Sequence, residues 1–99
     1  MTEARAIDIG HDAERRRFSA TVDGHLGYVD YALDGGVLEI LHTIVPDAIG
    51  GRGIAGQLVR AALDHARANG LRVRPTCPYA DAWMRRHPDY EPLREGAGD

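Results

Sequence analysis

The sequence predicts an α+β domain, and three observations carry that expectation. Strand-like alternation fills the first half of the chain, a glycine-dense turn follows Pro46, and an amphipathic helical repeat begins at Ile54. The expected order is β-β-β-β-α-β-α: antiparallel strands, then a long helix, a further strand and a short C-terminal helix.

The elements follow in chain order. A weak first strand is expected at residues 6–9, from Ala6 to Ile9. Phe18, Ala20 and Val22 alternate with polar residues, Asp23-Gly24 marks a turn, and Leu26, Tyr28 and Tyr31 resume the alternation, which is the signature of a β-hairpin. A second turn at Asp34-Gly35-Gly36 precedes Val37, Leu38, Ile40, Leu41, Ile44 and Val45, a run with β-branched character that Pro46 ends. Apolar side chains then recur at Ile54, Ala55, Leu58, Val59, Ala62, Leu63 and Ala66, a helical spacing of three and four, and Gly70 supplies the C-terminal stop. Arg60, Asp64 and Arg67 fall on the opposite, solvated face. Residues 71–74 predict a short strand ended by Pro75, and residues 79–86 a second helix before Pro88, with Trp83 and Met84 in the core.

Composition narrows the class. A chain of 99 residues has room for one hydrophobic core, so a single domain is expected over residues 1–94, with a disordered tail at 95–99. Its small core predicts modest stability and a monomer or weak homodimer. No window approaches the roughly 20 apolar residues of a membrane span. The N-terminus, with Glu3 and Asp8, lacks the basic-then-apolar pattern of a secretory signal, so a cytoplasmic protein without a membrane partner is expected. The lone cysteine, Cys77, excludes an intramolecular disulfide. All 12 cationic side chains are Arg, which rules out lysine and Schiff-base chemistry. Residues 52–86 carry 7 Arg against 2 acids, whereas residues 1–51 carry 4 against 9. The basic middle begins inside the glycine-dense turn.

That turn places four glycines in the seven residues 50–56: Gly50, Gly51, Gly53 and Gly56. Glycines let backbone N–H groups approach a ligand, and a helix N-terminus adds unpaired donors and partial positive charge, so a diphosphate suits the site. Arg52 would add a planar cation for an outer phosphate. A Walker A loop is excluded because the chain has no lysine, and the spacing Gly-x-Gly-x-x-Gly at 51, 53 and 56 opens the fifth element, not a first βαβ unit.

The stretch from Val45-Pro46 through Gly50-Gly51-Arg52-Gly53-Ile54-Ala55-Gly56-Gln57-Leu58-Val59 resembles motif A of the GNAT N-acetyltransferases. Downstream, Cys77-Pro78-Tyr79 and Arg86-His87-Pro88-Asp89-Tyr90 are similar to the C-P-[FY] and H-P-[ED]-Y segments of the compact GNAT-like family, and the resemblance spans residues 17–93. It implies a GNAT-like fold and acetyl-CoA as co-substrate, with an unidentified amine as acceptor and no metal. It implies cofactor contacts from Gly50, Gly51, Arg52, Gly53, Ile54, Ala55 and Gly56, and a backbone-paired pantetheine arm along Thr43, Ile44 and Val45. The chain departs from the pattern twice. Gly50 stands where motif A usually has Gln or Arg, and Ile44 stands where the family often has Glu before Val-Pro, which removes a general base at that position.

Two catalytic candidates remain. Cys77 matches the family's proposed catalytic or acetyl-accepting cysteine; Arg72, Arg74 and a following helix start favour thiolate, while a buried inert thiol is the plain alternative. His42, in the strand beside the channel and pointing away from Leu41 and Thr43, is a candidate base or else a structural residue. His87 reads as a helix-ending cap on the carbonyl of Trp83 or Met84, with a partnership with Cys77 as its chemical alternative. Arg85 and Arg86 are candidates to face the adenosine phosphate, and Arg15-Arg16-Arg17 reads as solvated surface. His42, Cys77 and His87 lack zinc-ligand spacing. Two other functions stay in view. One is an acetyl-CoA-binding module without turnover. The other is RNA binding through the GXXG spacing of KH domains at Gly50-Gly51-Arg52-Gly53, against which stand the preceding β-branched run and the net charge of -3.

Overall fold

The computed structural model describes residues 7–96. One five-stranded sheet runs β1 (Gly10–Asp12), β2 (Arg17–Val22), β3 (His25–Asp34), β4 (Val37–Ile44) and β5 (Arg72–Pro75), in that spatial order. The first four strands are antiparallel, and β5 lies parallel to β4 because α1 (Ile54–Ala68) crosses between them. Helix α2 (Pro78–Arg86) and a 3-10 segment (Pro88–Leu93) complete the chain. The expected order of strands and helices is present, so the α+β class stands.

The apolar alternation read from the sequence selects one face of the sheet. Phe18, Ala20, Val29, Tyr31, Leu38, Ile40 and Val73 are buried there against Ile54, Leu58, Val59, Ala62, Leu63 and Ala66 of α1, and Ala80, Trp83 and Met84 of α2 close the same core. Trp83 and Met84 are core residues as expected. Among the described residues no helix packs on the other face of the sheet. Helix α1 ends as its sequence requires: Gly70 takes φ 67°, its N–H bonds Arg67 O at 3.3 Å, and Leu71 N–H reaches back to Ala66 O at 2.8 Å, a Schellman closure. Among the described residues no helix is long and apolar enough to cross a membrane.

β5 and α2 each shift by one residue from expectation, with Pro75 inside the strand it was expected to end, and the two chain ends differ further. The first strand forms at Gly10–Asp12, three residues with exposed side chains, while residues 7–9 are not strand and Ala6 lies outside the described residues. Ile7 and Ile9 instead pack on the core edge, so the apolar alternation at 6–9 reports burial without pairing. At the other end, Glu95 is tied down where a tail was expected: its N–H bonds Val73 O at 2.7 Å and its carboxylate accepts from Arg74 at 2.7 Å. Residues 97–99 of that tail lie outside the described residues.

Candidate functional site

β4 outruns its parallel partner. Their pairing stops at Ile40 opposite Pro75, the apex is closed by Cys77 N–H to Ile40 O at 2.9 Å, and β4 continues to Ile44 alone on that side. The result is a fork between the end of β4 and the start of α2. A bulge at the fork sets the faces: Asp30 opposes His42 and Tyr31 opposes Ile40, so Leu41 has no opposite residue on β3. Thr43 consequently pairs with Val29 and points to the helices, whereas His42 pairs with Asp30 and points to the helix-free face.

The two catalytic candidates are therefore separated by the sheet. Cys77 is 6% exposed, and its Sγ lies 3.4 Å from Thr43 Oγ1 on the helix side, while His42 is exposed on the other. Cys77 is also the N-cap of α2, with Pro78 at the first helical position and Asp81 N–H bonding Cys77 O at 3.0 Å. The Arg74 charge expected to serve the thiol is taken elsewhere: its guanidinium meets Glu95 at 2.7 Å, Glu39 at 3.6 Å and Asp34 at 3.7 Å. Glu39 also accepts a short hydrogen bond from the Thr76 hydroxyl.

Beyond β4, Pro46 starts a 3-10 turn (Asp47–Ile49) anchored by the fully buried Ile49. Gly51 and Gly53 then adopt φ 76° each, the left-handed region that favours glycine. Gly53 is the N-cap of α1, no side chain caps the helix, and the first intrahelical donor is Gln57, bonded to Gly53 O at 3.1 Å. The N–H groups of Ile54, Ala55 and Gly56 precede that donor, so helix geometry leaves them without an intrahelical acceptor. Because the turn joins a strand to a helix through a 3-10 segment, its GXXG spacing is not the helix–loop–helix of a KH domain. Arg52 is not turned toward the uncapped donors' solvent unaccompanied: its Nη1 lies 2.6 Å from Asp23 Oδ2 at the tip of the β2–β3 hairpin.

Gly56 has a different reason to be glycine. A Cβ there would stand 3.0 Å from Trp83 Nε1 and 3.5 Å from the Tyr79 hydroxyl, so its missing side chain lets α1 and α2 approach closely. Between the two helices opens a groove of ≈ 660 Å³, lined by Gly53, Gly56, Arg60, Tyr79, Trp83 and Arg86, with Ile9 at one wall. Of the two arginines expected near a phosphate, Arg86 lines this groove, whereas Arg85 pairs with Asp81 at 3.3 Å. Arg60, Tyr79 and Ile9 were not read as site residues from the sequence; the only signal for Arg60 was its place on the polar face of α1, one turn beyond Gly56.

The H-P-D-Y segment supports two groove residues from behind, Trp83 and Asp64. His87 stacks on Trp83 at 3.7 Å and its Nδ1 lies 2.7 Å from Trp83 O, the expected cap. Tyr90 donates its hydroxyl to Asp64 at 2.8 Å, beneath Arg67, which also donates to Asp89 O. Burial, then the bond to Asp64, raises the Tyr90 hydroxyl above its ordinary pKa. Hydrogen bonding to Arg94 holds the Asp81 carboxyl below the usual range, with Arg85 adding to it. The protonated Tyr90 ties the 3-10 segment to α1, and the ionised Asp81 ties α2 to Arg94. Among the described residues no group of three or more His, Cys, Asp or Glu side chains is placed to hold a metal ion.

Comparison with known proteins places this geometry in a family. Residues 17–93 match the family described as GCN5-related N-acetyl-transferase. Protein NATD1 of Mus musculus is 36% identical over 91 residues, spanning 89% of this chain and 83% of its own length. Protein NATD1 of Homo sapiens is 35% identical over 85 residues, spanning 83% and 75%. The NMR solution structure of a GCN5-like protein from Staphylococcus aureus superposes with a TM-score of 0.72 at 26% identity, covering 89% of this chain and 87% of that one.

Proposed function

The chain belongs to the GCN5-related N-acetyl-transferase family, and from that premise we propose that it binds acetyl-CoA at residues 50–56 and passes the acetyl group to an amine. The observation that carries this reading is the uncapped start of α1, with Gly51 and Gly53 in left-handed conformations beside the groove that Arg60 and Arg86 line. N–H groups left uncapped and the helix dipole favour a diphosphate, and the two guanidinium groups suit a further phosphate. The contacts come from Gly50, Gly51, Arg52, Gly53, Ile54 and Ala55, with Gly56 serving by letting the helices close. Thr43, Ile44 and Val45, where β4 has left β5, offer backbone to the pantetheine arm in the manner of an added strand.

The reaction asks mainly for positioning. The amine nitrogen bonds to the thioester carbonyl carbon, the C–S bond breaks, the amine gives up a proton and CoA leaves as a thiol. The helix-free face is the side left open for the amine, and His42, beside Asp30, is the base on that side. In this reading the peptide N–H of Leu41, which has no opposite residue on β3, is the backbone donor for the developing oxyanion. Cys77, on the helix side with Thr43, is the candidate proton donor or acetyl acceptor toward the sulfur. Its burial favours the alternative of a binding module without turnover.

Calorimetric titration with acetyl-CoA, followed by thiol release with a panel of primary amines, tests the proposal. Micromolar binding with amine-dependent thiol release is expected. Binding without release from any amine supports the module, and no binding at all overturns both.

A further inference from the structure

Arg52 is the one cationic side chain between Pro46 and Gly56, and Gly50 brings no side-chain donor to help it. Its guanidinium already holds an anion. Nη1 lies 2.6 Å from Asp23 Oδ2, and Nη2 lies 3.5 Å from Ala48 O within its own turn. Asp23 sits at the tip of the β2–β3 hairpin, 29 positions away, where its backbone takes φ 50° ahead of Gly24 at φ 79°. The ion pair is open to water, with the two side chains 49% and 66% exposed. An exposed pair of this kind holds its partners only weakly. A diphosphate carries more charge than one carboxylate and offers more oxygens to the guanidinium fork.

We infer that Asp23 is an internal counter-ion on Arg52, which the diphosphate of the ligand displaces, so that Asp23 sets both the affinity of the turn and its preference for highly charged ligands. The inference rests on the reading of residues 50–56 as a diphosphate site. When the ligand arrives, Arg52 exchanges one anion for another, and the hairpin tip loses its tie to the turn. A ligand that ends before the diphosphate has nothing with which to displace the carboxylate.

The test compares CoA binding by calorimetry at low ionic strength in the wild-type chain, Asp23→Asn, Arg52→Gln and the double variant. Asparagine tolerates a positive φ, so Asp23→Asn removes the charge and keeps the turn. It should tighten CoA binding about two- to fivefold, the range an exposed ion pair supports. Arg52→Gln should weaken binding, and Asp23→Asn should bring no gain in that background. In the wild-type chain, amide exchange at Asp23 and Gly24 should quicken when CoA is added. A merely structural pair predicts the opposite, equal or weaker binding by Asp23→Asn, and that result overturns the exchange while leaving the site reading intact. A gain that persists with Arg52→Gln overturns it too. Absence of CoA binding by the wild-type chain overturns the site reading itself and the exchange with it.

Discussion

Replacing Gly56 by alanine tests how the groove is built. The new methyl group would stand 3.0 Å from Trp83 Nε1 and 3.6 Å from Trp83 Cδ1. The indole has little freedom to yield, since it is 4% exposed, stacks on His87 at 3.7 Å and meets Tyr90 edge-on at 5.2 Å. Either α2 moves outward or the indole leaves its rotamer, and overpacking of this kind costs about 1–3 kcal/mol. Alanine returns less than about 1 kcal/mol of helix propensity, because position 56 lies in the first turn. The net expectation is a loss of about 1–2 kcal/mol, which for a domain of this size lowers the unfolding midpoint by roughly 5–15 °C. Thermal unfolding followed by circular dichroism and by the fluorescence of Trp83, the only tryptophan, reads both the midpoint and the indole's surroundings. An unchanged or raised midpoint with an unperturbed indole would refute the claim that Gly56 exists for helix contact.

Cys77→Ala should leave acetyl-CoA affinity within about twofold, because the thiol is buried against Thr43, away from the phosphate turn. It should lower amine-dependent thiol release; an equal rate removes the cysteine from the mechanism. Tyr90→Phe should cost about 0.5–1.5 kcal/mol through loss of the bond to Asp64, measured by urea unfolding. If instead stability holds and only catalysis falls, the H-P-D-Y segment is chemical and not a staple. His11 stacks on Phe18 at 4.1 Å and lies edge-on to His65 at 4.6 Å; burial, then His65, lowers its pKa below 6.5, against the smaller effect of Asp12. The unfolded chain therefore takes up its proton first as pH falls through 6.5, so the stability this group contributes is present above that pH and is lost below it. Melting midpoints of the wild-type chain and His11→Phe between pH 8 and about 5 should converge at the acid end; parallel curves would show that His11 does not contribute.

Periodicity carried much of this fold into the sequence. Strands β2 to β4 and α1 were legible because their apolar side chains repeat with the period of the element they form, and Gly70 marks its own helix end. β1 was not, because Gly10, His11 and Asp12 have no apolar alternation and depend on pairing with β2 and on the His11–Phe18 stack. The glycine-dense turn was visible as composition, but alternation alone could not aim His42, because the bulge at Leu41 resets the faces between Ile40 and Thr43. What remained hidden was tertiary: Asp23 reaching Arg52, Glu95 reaching Arg74, and α2 closing on the polar face of α1 to make Arg60 a groove residue. Each joins residues far apart in the chain, and no local pattern encodes such a meeting. The H-P-D-Y segment was recognisable by resemblance, yet its physical work, stacking and capping under Trp83, needed coordinates.

The central claim is that backbone donors at the start of α1 hold a diphosphate. Two-dimensional amide spectroscopy during titration with acetyl-CoA addresses it most directly. The account predicts that the N–H resonances of residues 51–56 shift most and move downfield as they gain charged acceptors, with inorganic pyrophosphate moving the same set more weakly. If saturating acetyl-CoA leaves those amides in place, or shifts only residues remote from the turn, the account is contradicted.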